Sequence, residues 1–595
     1  MKKRKRSYAE RFLEWRLRHI GPVRFTMILS VVVGLVAALT AYVLKTATHT
    51  IAHLTETGIS KQFSNYLYFL YPFIGVSLSV IFVKFILRQN ISGGIPRVLY
   101  SISKEGALIK PHNMYSSVIT SALTVGFGGS AGLEGPTVVT GAAIGSNIGR
   151  WLHLNFKQRL LMLGCATAAA VSAIFKAPIT GVVFVMEVFM LDLTMNSLVP
   201  LLISSVVGVL VSYFLMGSSP VYFFRLTDFF AVEDFVYYLV LAFATAASSI
   251  YFTKCYIWVS QIFHKINSTW VKLFGGCFVL GVLIFFFPSL YGEGYDAINS
   301  CLNGDCRYLF EKSFFVHFQK NPWLISVLLL AVIMVKAVAT AATFGSGGVG
   351  GIFAPSLFVG ANTGLLVATI FAQLGFTDVS SANFALVGMA GTIAGVLHAP
   401  LTAVFLIAEL TGGYKLFVPL LLVSTVSYLV TKKVIVNSIY TYQLARRNEL
   451  LTHHTDKNVL TLMRLDKLIE KNFAVVHPED SLRTLVEVVE KTSRNIFAVV
   501  DKNDGTFKGI VKLDTIRNIM FHPELYDRIK VSELVFRPDY TVRLDESMES
   551  VATKFTNSDK FNIAVLDSDN KYLGFVSRAK VFSTYRKMSK DLSDD

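Results

Sequence analysis

The chain of 595 residues is 53% hydrophobic and only 16% charged, with a formal net charge of +16. This balance excludes a soluble globule and a disordered chain and specifies a polytopic membrane protein. In such a protein a basic excess reports orientation and lipid contact, so the bilayer is the expected partner and nucleic acid is not. Twelve histidines and five cysteines form no metal-ligand spacing, and no metal or obligatory cofactor is expected.

Residues 1–24 carry nine Lys or Arg against two Glu and read as a basic amphipathic helix, Lys2 to His19, on the cytoplasmic face. No hydrophobic core with a cleavage site stands behind these charges, which argues against a removed signal peptide. Phe25 to Leu54 and Tyr66 to Leu87 are long enough to span. Two crossings return the chain to the cytoplasmic side at Ser92-Gly93-Gly94-Ile95-Pro96. Met114 to Val125 is too short to span and implies a broken helix, which survives at membrane depth only where protein or a cavity surrounds it.

Next comes Gly128-Gly129-Ser130-Ala131-Gly132-Leu133-Glu134-Gly135-Pro136, ahead of the helical run Thr137 to Leu152. Glycines turn tightly and bare their N–H groups, Pro136 suits a first helical turn, and the helix dipole adds partial positive charge. Together these make an anion site of backbone, although glycine in an apolar segment also serves close helix packing. Glu134 lies at this helix mouth, where its carboxylate can take the place of an external anion. Between Pro111 and Thr227 the only acids are Glu134, Glu187 and Asp192, and an acid in a membrane segment is costly enough to be a functional candidate. For Glu187 a hydrogen-bonded structural carboxylate is the competing reading.

Leu160 to Phe175, Pro178 to Leu191, Leu198 to Met216, Phe235 to Phe263 and Trp270 to Phe287 follow as apolar segments. The polar stretch Pro288 to Pro322 holds Gly292-Glu293-Gly294-Tyr295 and two cysteines, Cys301 and Cys306, which pair if this loop faces an oxidising compartment and otherwise stay free. Beyond it the first half recurs at an offset of about 220 residues. Phe344 to Pro355 repeats the Gly-Ser, Gly-rich, Pro order, and Ala399-Pro400-Leu401-Thr402 with Glu409 repeats Ala177-Pro178-Ile179-Thr180 with Glu187. Paired, broken apolar segments at matching positions point to a midplane site. Val434 to Arg446 closes the region as a short helix containing Tyr440 and Tyr442, and Arg446 and Arg447 place its exit in the cytoplasm.

From about Asn458 the composition becomes soluble, with a second repeat: Ser481 and Ser547, Ala498 and Ala564, Asp501 and Asp567, Gly509 and Gly574. Each unit reads helix, a strand (Ile496 to Val500, Ile563 to Leu566), a polar turn, a second strand from Gly509 or Gly574, and a helix.

Gly132-Leu133-Glu134-Gly135-Pro136 and Gly351-Ile352-Phe353-Ala354-Pro355, with Ser92 to Pro96, resemble the signature motifs of the CLC family of chloride channels and proton/chloride antiporters, and the tail resembles a CBS-domain pair. The resemblance implies an all-α polytopic membrane domain of two inverted repeats with broken re-entrant helices, followed by a soluble α/β CBS pair. The divisions are 1–24; 25–447, with halves 25–216 and 235–447; a linker 448–462; and modules 463–525 and 530–588. It also implies a multi-pass protein of the cell (inner) membrane with both termini cytoplasmic. It would act as a homodimer with one chloride pathway per subunit, and not as an enzyme.

Carried over by position, Glu134 is the gate, and Gly93, Gly94, Ile95, Glu134, Gly135, Ile352, Phe353 and the Tyr440 hydroxyl hold anions. Gly93 stands where the family usually places an anion-touching serine. Val188 follows Glu187 where antiporters commonly carry a second, proton-relaying glutamate; a valine carries no proton, which favours a passive channel over an antiporter with a non-standard internal proton route. The CBS pair implies an adenine nucleotide near Asp514 and Ser577, although Lys512 replaces a small hydroxyl residue there; a ligand-free dimerising tail is the competing reading. A membrane enzyme or nucleotide-driven pump is the remaining alternative, but neither Gly-rich motif ends in the Gly-Lys-Ser/Thr of a phosphate loop.

Overall fold

The computed structural model describes residues 19–57, 66–89, 94–190, 195–219, 222, 230–310, 315, 322–376, 379–447, 460, 463–558 and 560–593. The expected N-terminal surface helix, Gly93 and nearly all of the linker 448–462 lie outside these. The chain divides into two compact units, residues 1–450 and 451–595.

The first unit is helical: α1 Pro22–Thr57, α2 Tyr66–Ile81 continued by a π-turn Phe82–Leu87, α3 Gly94–Lys104, α4 Asn113–Gly126, α5 Glu134–Trp151, α6 Phe156–Phe175, α7 Pro178–Phe189 and α8 Met195–Met216. Then come α9 Phe235–Lys265, α10 Thr269–Phe286, α11 Tyr295–Leu302, α12 Pro322–Gly345, α13 Phe353–Gln373, α14 Ser381–Leu397, α15 Pro400–Leu410, α16 Phe417–Val434 and α17 Tyr442–Arg446. Among the described residues nine helices are long and apolar enough to cross a membrane, while α4, α7 and α15 are shorter. The polar stretch after Phe287 contains a helix, α11, that the composition hid. Its residue Cys301 is buried and its thiol donates to the Tyr308 hydroxyl at 3.3 Å; Cys301 and Cys306 are both free thiols.

The duplication is visible in local chemistry. Lys176 and His398, both at φ +57°, end α6 and α14 in the left-handed conformation, and Ala-Pro then opens α7 and α15 with proline at the first turn. Close helix packing repeats as well. A Cβ on Gly145 would come 2.2 Å from the Met162 carbonyl oxygen on α6, and one on Gly364 would come 2.0 Å from the Phe384 carbonyl oxygen on α14. Glycine therefore lets α5 lie on α6, and α13 on α14, backbone to backbone. Gly364→Ala must push α14 away, and thermal unfolding in detergent should show a loss of about 1–3 kcal/mol; an unchanged midpoint would mean that this contact is loose.

The second unit holds two three-stranded sheets. In one, β1 Val475–Val476 pairs parallel with β2 Ile496–Val500, and β2 pairs antiparallel with β3 Phe507–Lys512; in the other, β4 Val542–Arg543, β5 Asn562–Leu566 and β6 Tyr572–Ser577 repeat the pattern. The second strands start two residues earlier than Gly509 and Gly574 suggested. Those glycines instead sit where another segment presses on the sheet: a Cβ would come 2.5 Å from a Val535 side-chain carbon or 2.6 Å from an Ile469 side-chain carbon. Each module's third strand is met by a connecting segment, Ile510 by Phe536 and Phe575 by Glu470.

Candidate anion pathway

The two Gly-rich turns meet. Gly132 N–H donates to the Gly351 carbonyl at 2.9 Å and Gly351 N–H returns a bond to the Gly132 carbonyl at 2.7 Å. The threonines that end the preceding helices are exchanged: Ser130 N–H donates to Thr343 Oγ1 and Val349 N–H to Thr124 Oγ1, both at 3.1 Å. Each bond has its counterpart in the other half, so the turns pair as symmetry-related copies. Backbone approaches so closely here that a Cβ on Gly135 would lie 2.7 Å from the Gly351 Cα. The first turns of α5 and α13, both buried, thus converge with N–H groups unspent, the arrangement that attracts negative charge.

Glu134 is the first residue of α5 and only 4% exposed. Its Oε1 accepts the Tyr295 hydroxyl at 2.6 Å. The carboxylate also faces the backbone N–H groups of Glu134 itself and of Ala354, but buried Oε2 has no well-aligned hydrogen bond. A Cβ on Gly132 would lie 2.1 Å from Oε2, so the bare glycine makes the seat. Phe353 occupies the matching position at the start of α13, its ring packed 5.2 Å from that of Phe175. The two matching helix starts therefore carry a carboxylate in one half and a phenyl ring in the other.

The charges around this seat are balanced. Lys336 on α12 is fully buried, donates to Ser130 Oγ at 2.9 Å and lies 4.6 Å over the Phe358 ring. Lys45 on α1, Glu293 in the loop before α11 and Glu134 lie within charge–charge range of one another, and Glu293 also faces Lys336. Two ammonium groups against two carboxylates lower the cost of burying any one of them.

Tyr440, within electrostatic range of Glu134, is 3% exposed and its hydroxyl has no hydrogen-bond partner. It lies in a turn and not in the closing helix: α16 ends at Val434, Ile435 is extended, and Ile439 N–H reaches the Val396 carbonyl, leaving only Tyr442–Arg446 helical. Of the motif Ser92 to Pro96, Gly94 (φ +51°) and the buried Ile95 open α3, which touches α17 just beyond Tyr440. Ile352 caps α13 and is 8% exposed.

Glu187 and Glu409 exchange places across the duplication. Glu187 accepts from Leu401 N–H (2.9 Å), Thr402 N–H (2.7 Å) and Thr402 Oγ1 (2.6 Å); Glu409 accepts from Ile179 N–H and Thr180 N–H (both 2.8 Å) and Thr180 Oγ1 (2.6 Å). Each carboxylate thus satisfies the N-terminal donors of the other half's short helix, which places Glu187 in a structural clasp. Val188 beside it is 6% exposed.

In the tail, Asp514 is ion-paired with Arg517 at 2.8 Å on the surface. Ser577 Oγ donates to Glu470 Oε1 at 2.5 Å, and Glu470 is held by Arg494 at 3.0 Å. Lys512 lies 4.6 Å over the Phe536 ring. The two residues singled out for a nucleotide already have partners within the chain.

Sequence reasoning missed Ala354 as an N–H donor and gave no role to Tyr222, Glu293, Tyr295 or Lys336. A lysine inside the apolar run Trp323 to Ala342 and an acid between two glycines were the available signals.

Residues 74–432 match the voltage gated chloride channel family, and residues 465–522 and 531–587 match the CBS domain. A protein of Ralstonia nicotianae named as a ClcB-like chloride channel protein is 31% identical over 336 residues, 56% of this chain and 74% of its own length. Chloride channel protein CLC-f of Arabidopsis thaliana is 25% identical over 461 residues, 68% of this chain and 56% of its own. A slow cyanobacterial Cl-/H+ antiporter matches the structure with a TM-score of 0.61 at 22% identity, covering 72% of this chain and 98% of its own. A eukaryotic CLC transporter gives 0.60 at 17%, covering 93% and 97%. At these identities the solved structures speak for the fold alone. With the paired Gly-rich turns, the buried carboxylate at their junction and a family match over most of the membrane unit, the chain belongs to the CLC family of chloride channels and transporters and carries a CBS-domain pair.

Proposed function

We propose that this protein is a passive chloride channel, a homodimer of the cell membrane with one pathway per subunit and cytoplasmic termini, in which Glu134 is the gate. The seat of Glu134 carries this reading. Its carboxylate fills the meeting point of two helix N-termini, yet one buried oxygen faces N–H groups without a well-aligned hydrogen bond. An unsatisfied buried oxygen is costly, so the seated state is poised to yield to protonation or to a competing anion. Backbone N–H groups at Glu134, Gly135, Ile352, Phe353 and Ala354 would then serve the anion, with the unpartnered Tyr440 hydroxyl as a further donor and Gly93, Gly94 and Ile95 forming the inner mouth.

Passive conduction is supported by the clasp at Glu187 and by Val188: one carboxylate is committed to capping a helix, and its neighbour has no proton to give. Proton-coupled exchange by another internal route is the second reading, because a single protonatable gate would serve it as well. Anion choice follows from Gly93: Gly93→Ser is expected to raise chloride permeability over nitrate, read from bi-ionic reversal potentials, and unchanged ratios would remove the hydroxyl from the account. We assign the CBS pair a modulatory role. An adenine nucleotide would have to displace the Ser577–Glu470–Arg494 chain to reach Ser577.

A further inference from the structure

The loop Gly292–Tyr295, which an inverted duplication with a cytoplasmic Ser92–Pro96 turn would place on the outer side, is not explained by conduction alone. It is clamped on the first Gly-rich turn: Gly292 N–H donates to the Gly128 carbonyl at 3.2 Å, and the Tyr291 ring fills the space that a Cβ on Gly128 would need, 1.9 Å away. Gly294, at φ +82°, has room for no side chain, since a Cβ would come 2.7 Å from the Phe358 ring and 3.6 Å from Lys336 Nζ. This fixes the start of α11, where the Tyr295 ring is met edge-on by Tyr222 at 5.6 Å. The phenol emerges from a rigid support and ends on Glu134 Oε1 at 2.6 Å, the carboxylate's one short side-chain hydrogen bond among the described residues.

We propose that Tyr295 is an outer latch on the gate: its hydroxyl holds the Glu134 carboxylate in the seat, and anions pass only after that hydrogen bond breaks. The inference rests on Glu134 being the gate. Tyr295 is a positioning residue, acting on the carboxylate and not on the anion. A phenol can donate to an ionised carboxylate but gains less from a protonated one, so the latch favours the charged, seated form. The other groups facing Glu134 are Lys45 from α1, Tyr222, Glu293 from the outer loop and Tyr440 before α17. Tyr295→Phe leaves all of these in place and keeps the ring against Tyr222.

The test is chloride efflux from liposomes containing the full chain, measured across pH, for Tyr295→Phe, Glu134→Gln and the double variant. In the native background Tyr295→Phe is expected to raise flux at neutral pH about tenfold and to move the half-maximal pH upward, the effect of losing a hydrogen bond to a charged group. In the Glu134→Gln background it is expected to change nothing. Tyr295→Gln retains a donor and should fall between native and Tyr295→Phe, and it carries the same test if the phenylalanine variant does not fold. An equal change in both backgrounds would overturn the latch while leaving the gate intact. If Glu134→Gln itself left flux and its pH response unaltered, the gate would fall and the latch with it.

Discussion

Glu134→Gln is expected to give a pathway that conducts at neutral pH at least about tenfold faster than the native protein and responds little to pH. In the proposed gating the native carboxylate competes with anions for the N–H groups at the junction of α5 and α13, and its hold depends on its charge. Hydrogen bonds to charged groups are worth about 1.5–3 kcal/mol, and an amide in the same place gives up much of that. The proposal fixes the sign: acid would protonate the native carboxylate, unseat it and raise flux, whereas glutamine has no proton to take. Chloride efflux between pH 4.5 and 8 reads both effects. Native pH dependence in the variant would remove Glu134 from gating, whatever its place in the fold.

Glu187→Ala and Glu409→Ala are expected to lower stability, each by about 2 kcal/mol, through the loss of three hydrogen bonds at the start of the opposite short helix. Thermal unfolding of the detergent-solubilised protein should show similar losses for the two, because they perform the same task in the two halves. Glu187→Gln, which keeps an acceptor oxygen, should recover part of the loss. A Glu187 variant with native stability but altered proton dependence of the reversal potential would reverse the assignment and make this carboxylate a proton carrier.

The parts legible in the sequence are those determined by local chemistry. Gly-rich turns ahead of prolines, Ala-Pro helix starts and the strand Ile496–Val500 are set by the backbone freedom and side-chain pattern of adjacent residues, and the structure has them at those places. Glu134 stood out because a lone acid in an apolar stretch is rare. The reciprocity of Glu187 and Glu409 was half visible: the repeat paired the two glutamates, but nothing local said that each would bind the other half's threonine. Tyr295 reaches Glu134 across 161 residues from a stretch that reads as polar loop, and such a contact leaves no periodic trace. Tyr440 was misplaced for a related reason. The run after Val434 is apolar enough to extend a helix, yet Ile439 N–H turns toward the end of α14, a tertiary contact that outweighs local propensity.

The most direct test of passive conduction is the zero-current potential of the purified protein in liposomes under a chloride gradient, measured with and without an opposing pH gradient. A potential that stays at the chloride equilibrium value in both conditions is the predicted result. A potential displaced by the proton gradient would contradict it, and would require a proton route through the membrane unit that avoids both Val188 and the clasped Glu187.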